Sequence, residues 1–139
     1  MLRFTKKVEY ALIALVYMSE KVEGELTTAR ELSEKFDISL ELIGKLLQKL
    51  ARHSIIASVQ GVKGGYFLIK KVDDIKLSKI IEAIDRTLAV VGCVDSTNQT
   101  KCSRHDFCNI CDTMSEIQSE FTDYFNKITL KDFKLKKSS

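Results

Sequence analysis

At 139 residues and 45% hydrophobic, the chain is long enough for one compact domain with its own core, or for a small domain plus an oligomerisation element, and it should fold without disulfide staples. A net charge of +3 says little alone, but residues 1–71 carry 12 Lys and Arg against 8 Asp and Glu, whereas residues 72–139 carry 10 against 11. The first half is therefore the better candidate for meeting phosphate. There is no proline, no low-complexity tract and no internal repeat.

From Thr5 to about Glu20 the apolar residues Val8, Ala11, Leu12, Leu15 and Val16 follow helical spacing, and the other faces are apolar too. The run YALIALVYM is too short to cross a bilayer and has no cleavage site after it, so no membrane role and a cytoplasmic location are expected. In TTARELSEKF, Thr28 and Glu31 form a capping box ahead of a short helix with Ala29, Leu32 and Phe36 on one face. Phe36-Asp37-Ile38-Ser39 reads as a tight turn, with Ser39 capping a second helix whose core face is Leu42, Leu46, Leu47 and Leu50.

Two short helices so joined fit either a helix-turn-helix or an ordinary helical hairpin. The segment after them decides between the two. IIASVQ and YFLIKK are extended runs joined by the glycine turn GVKGG, and a helix-turn-helix followed by a β-hairpin is a winged helix. A helix with Ile80, Ile81 and Ile84 then leads into a cysteine loop. Beyond it, Thr113 and Glu116 form a second capping box, opening a helix with Met114, Ile117, Phe121, Tyr124, Phe125 and Ile128 at spacings of three or four. A second copy of this stripe is an economical partner, because twofold dimers are the commonest oligomers, and packing back on the first helix is the alternative.

The expected fold is mainly α with a small β-hairpin. A winged helix-turn-helix DNA-binding domain spans 1–75; a linker helix, cysteine loop and long C-terminal dimerisation helix span 76–132; a basic tail covers 133–139. In such a domain the second helix enters the major groove of double-stranded DNA, and the hairpin lies along the backbone or minor groove. Ser39, Leu40, Glu41 and Ile43 are then the candidate base-reading residues. Lys45, Lys49 and Arg52, with Gln60 and Lys63 in the wing and Arg3, Lys6 and Lys7 at the chain start, are the candidate backbone contacts. His53 follows the second helix and is expected to cap its C-terminal end.

All four cysteines, Cys93, Cys102, Cys108 and Cys111, fall within one loop, at intervals of eight, five and two residues. In a reducing compartment such clustering points to metal binding or redox chemistry. Zinc sites prefer two tight pairs, and only Cys108 and Cys111 make one; thiolates spread this widely suit an iron-sulfur cluster. A structural zinc stays open as an alternative, and so does thiol exchange at the CxxC pair. His105 lies in the same loop.

FTKKVEYAL, ISLELIGKLLQKL, SVQGVKGGYFL, IIEAIDRTL, the cysteine loop and NKITLKDF, taken together over residues 2–133, resemble the IscR/NsrR-type winged-helix regulators that carry an iron-sulfur cluster. The resemblance implies a homodimer on an operator and no enzymatic activity or small-molecule substrate. It implies cluster ligation by Cys93, Cys102 and Cys108, with 2Fe-2S and 4Fe-4S both open. The fourth ligand is Cys111, at the position of a histidine in the IscR-like branch, or Glu9, matching a carboxylate that other branches supply from the partner subunit. The gap between the first two cysteines is longer than in the IscR-like branch, Gln60 stands where many members have arginine, and Gly44 replaces a base-reading glutamate. Operator sequence therefore does not carry over. The expected activity is a repressor or dual regulator reporting redox, nitric oxide or iron-sulfur status.

Overall fold

A computed structural model describes residues 4–85 and 109–135. Helix α1 (Lys6–Ser19) begins at Thr5, whose hydroxyl accepts the Val8 N–H at 3.4 Å. Its residues Val8, Ala11, Leu12, Ala14, Leu15 and Met18 are buried, more than one stripe, as the nearly all-round apolar sequence requires. Helix α2 (Ala29–Phe36) has the expected capping box: Thr28 accepts the Glu31 N–H at 3.0 Å, and the Glu31 carboxylate accepts the Thr28 N–H.

Asp37, at φ 54° and ψ 51°, ends α2 in the left-handed conformation that a short polar side chain tolerates. The reversal tucks Ile38 into the core and lets Ser39 cap α3 (Leu40–Arg52) by accepting the Leu42 N–H at 3.4 Å. Helix α3 buries Ile43, Leu46, Leu47 and Leu50, each stabilising the fold by roughly 1.5–3 kcal/mol relative to exposure.

Strands β1 (Ile56–Val59) and β2 (Gly65–Leu68) pair antiparallel, with Ile56 opposite Leu68 and Val59 opposite Gly65. Thr27, just before α2, adds a further bridge to this sheet through two backbone hydrogen bonds with Tyr66, of 2.9 and 2.8 Å. The wing turn closes with the Gly64 N–H donating to the Gly61 carbonyl at 3.0 Å. A Cβ on Gly64 would lie 2.1 Å from the Val59 carbonyl oxygen, so only glycine fits there.

After a 3-10 turn at Val72–Asp74, α4 (Leu77–Asp85) buries Leu77, Ser78, Ile80, Ile81, Ala83 and Ile84 against α1, α3 and α5. Helix α5 (Cys111–Lys127) and α6 (Leu130–Leu135) complete the described chain. The segments before α4 and after α5 lie side by side: the Leu77 N–H donates to the Ile128 carbonyl and the Leu130 N–H to the Ile75 carbonyl, both at 2.9 Å. The Ser78 hydroxyl donates to the Asn126 side-chain carbonyl beside them. Among the described residues no helix is long and apolar enough to cross a membrane.

Two boundaries differ from expectation. Helix α5 opens at Cys111 rather than at Thr113; Ile110 is its N-cap residue without a side-chain cap, and the Met114 N–H already donates to the Ile110 carbonyl at 2.9 Å. The expected tail from 133 is helical through Leu135, because Leu130 is fully buried, Asp132 accepts the Thr129 N–H at 2.9 Å, and Lys134 donates to the Ser19 carbonyl at 3.0 Å.

Candidate nucleic-acid interface

The outward face of α3 is the stripe Glu41, Gly44, Lys45, Gln48 and Arg52, of which all but the half-buried Gly44 are exposed. Leu40, 47% exposed, projects at its N-terminal end. Glu41 and Lys45 form an exposed ion pair at 3.2 Å, an interaction of little net strength. Ser39 is exposed, and while it accepts the Leu42 N–H its own hydroxyl proton remains available to a base or phosphate.

Ile43 does not belong to this surface. It is 0% exposed and packs in the core, because it shares one helix face with Leu46, Leu47 and Leu50 at spacings of three, four and seven. Leu42, expected in the core, is only half-buried. Lys49 also turns inward: half-buried, its ammonium donates to the Ile84 carbonyl of α4 at 3.5 Å. His53 behaves as expected, its Nδ1 lying 3.0 Å from the Lys49 carbonyl at the C-terminal end of α3. Gln48 was not among the expected contacts, although it lies seven residues beyond Glu41 and three beyond Lys45, a spacing that puts it on the outward stripe.

In the wing, Gln60, Val62 and Lys63 are all exposed, and Val62 is wholly so at the turn. Lys6 and Lys7 are exposed at the start of α1, where Lys6 pairs with Glu9 at 3.3 Å. Arg3 lies outside the described residues.

The attitude of α2, and with it α3, is fixed by a network that no local pattern announces. The Tyr17 hydroxyl of α1 donates to the Glu31 carboxylate of α2. Lys21 bridges to the same carboxylate at 2.6 Å, donates to the Leu26 carbonyl at 2.9 Å, and sits 5.1 Å from the Tyr17 ring centre. Phe36 packs edge-on against that ring at 5.6 Å. The hydrogen bond to Glu31, foremost, together with burial and the charges of Glu31 and Glu25, holds the Tyr17 hydroxyl above its ordinary pKa of 10.0. Burial pushes the Glu31 carboxyl up, but the hydrogen bonds from Lys21 and Tyr17, the Lys21 charge and the Thr28 N–H outweigh it and leave the pKa lowered from 4.5.

Cys93, Cys102, Cys108 and His105 lie outside the described residues. Cys111 is the first residue of α5, half-buried and without a disulfide partner among the described residues, which puts a soft donor at a helix start. That donor fits iron or zinc, whereas Glu9, exposed on α1, would first have to release Lys6. Helix α5 itself has no buried residue: Ile117 is 36% and Tyr124 60% exposed beside a stacked Phe121–Phe125 pair with ring centres 6.1 Å apart.

The model of the Rrf2 family, described as an iron-dependent transcriptional regulator, matches residues 4–134. The HTH-type transcriptional regulator IscR of Pectobacterium atrosepticum is 30% identical over 130 residues, covering 93% of this chain and 77% of that protein. IscR of Escherichia coli O1:K1 is 27% identical over 129 residues, covering 93% and 78%. Among solved structures, CymR, the global cysteine regulator of B. subtilis, superposes with a TM-score of 0.73 at 19% identity over 96% of both chains. IscR of T. potens gives 0.68 at 18% over 99% and 93%. These likenesses confirm the winged-helix fold and place the chain outside the enzymes. The chain belongs to the Rrf2 family of DNA-binding transcriptional regulators.

Proposed function

We propose that the chain works in the cytoplasm as a homodimeric regulator whose operator affinity is set by an iron-sulfur cluster, with Cys93, Cys102 and Cys108 as ligands and Cys111 as the fourth. The observation that carries this reading is the place of Cys111: a thiol on the first residue of the helix that presents an unburied apolar stripe. A ligand there acts on the element that pairs the two subunits. When bound, the cluster supplies iron and sulfide that react with oxygen or nitric oxide. Pairing α5 with a second copy covers Ile117, Phe121 and Tyr124 and sets two α3 helices for half-sites roughly 34 Å apart. Ser39, Leu40, Glu41 and Gln48 read bases, while Lys45, Arg52, Gln60, Lys63, Arg3 and Lys6 meet the backbone.

Anaerobic purification tests the cofactor. A brown protein with iron and acid-labile sulfide is expected. Colourless, zinc-containing protein would replace the cluster with a structural zinc, and disulfide-reductase turnover would favour thiol exchange at Cys108 and Cys111. Operator affinity should differ between cluster-loaded and iron-stripped protein; equal affinities would sink cluster control.

A further inference from the structure

We propose that Lys49 is a positioning residue rather than a phosphate contact: it fastens the DNA-reading helix to the Ile84–Asp85 end of α4, and so to the chain that enters the cysteine segment. On α3 its neighbours Lys45, Gln48 and Arg52 are exposed, yet Lys49 is half-buried and its ammonium is committed to the Ile84 carbonyl at 3.5 Å, 35 residues away in sequence. The next residue, Asp85, is tied as well: its carboxylate accepts the Thr5 hydroxyl at 2.7 Å, and Thr5 is the N-cap of α1. Two consecutive residues of α4 thus hold the C-terminal part of α3 and the start of α1.

Helix α4 is buried along most of its length, so it cannot shift alone; a displacement at its end is carried by what is tied to it. Cys93 follows Asp85 by only eight residues. A displacement that starts at Cys93 reaches Asp85 and Ile84 along the chain before the rest of α4, and Lys49 is a direct polar tie from Ile84 to the DNA-reading helix. The fastening stands on the geometry alone, whereas the relay rests on the proposed cluster.

Lys49→Met keeps the methylene stem and removes the ammonium, and three measurements on the full-length protein test it. The slope of log operator affinity against log salt should match wild type; a slope shallower by about 0.9, the value for one phosphate contact, would overturn the proposal. Hydrogen-deuterium exchange in the peptide covering 77–85 should be several-fold faster in the variant, and an unchanged rate would overturn the fastening. The ratio of operator affinities between cluster-loaded and iron-stripped protein should move towards one. A wild-type ratio above or below one that survives in the variant overturns the relay; a wild-type ratio of one sinks the cluster reading and leaves slope and exchange to decide the fastening. If Lys49→Met does not fold by circular dichroism, Lys49→Gln, which keeps a polar end, is expected to give the same three results.

Discussion

Ile43 and Leu40 sit three residues apart on α3 and should fail in opposite ways. Ile43→Ala removes a fully buried side chain and is expected to cost about 2–5 kcal/mol in urea unfolding. Leu40→Ala, at an exposed position, should leave stability within about 0.5 kcal/mol and weaken operator binding in a fluorescence titration. The tyrosine-glutamate pair predicts how stability depends on pH. Glu31 has a lowered pKa in the fold, so its contribution is present above 4.5 and is lost as pH falls through the folded value. Tyr17 has a raised one, so its contribution is present below 10.0 and is lost as pH rises through the folded value. Thermal melts across pH should therefore show an alkaline decline that Tyr17→Phe removes. An identical decline in that variant would assign it to other groups.

Among the elements, α3 and the wing make contrasting demands on glycine. At Gly44 an added Cβ meets nothing within 4 Å, so Gly44→Ala should stabilise the protein by roughly 0.5–1 kcal/mol, read as a higher melting temperature. At Gly64 the same change drives a methyl into the Val59 carbonyl, so Gly64→Ala should cost about 1–3 kcal/mol or remodel the wing, with operator affinity falling while helix content by circular dichroism holds. These elements were legible in the sequence because their signals are local: Thr28 and Ser39 cap as their positions suggest, and the hairpin follows its glycines. Ile43 was legible too, since the 43, 46, 47, 50 spacing is a better helical face than one starting at Leu42; nearness to the helix start was the misleading cue. The ties of Lys49 to Ile84 and Tyr17 to Glu31 were not legible, because they join residues 35 and 14 apart that no periodicity relates.

At the scale of the whole molecule, α5 carries an apolar face that the described residues leave uncovered. Ile117→Asp combined with Tyr124→Asp should yield monomers in sedimentation velocity and weaken binding to a two-half-site operator far more than to a single half-site. A dimer that persists would move the subunit contact elsewhere. The sequence foresaw the stripe but not that the chain beyond it folds back. The docking of α6 depends on Leu130, Asp132 and Lys134 meeting partners at Thr129 and Ser19 and in the core, and only the nearest of these is a local relation.

The pairing of residues 75–77 with 128–130 has a further consequence for how such a protein can change over evolutionary time. It holds the start of α4 beside the end of α5, closing the sequence between them at its base. Once a loop's ends are pinned, lengthening it costs little, about 0.6 kcal/mol for each doubling. Insertions or deletions in the sequence between the two helices should therefore cost the fold little while this closure holds. The long interval between Cys93 and Cys102 is the kind of variation that this arrangement tolerates.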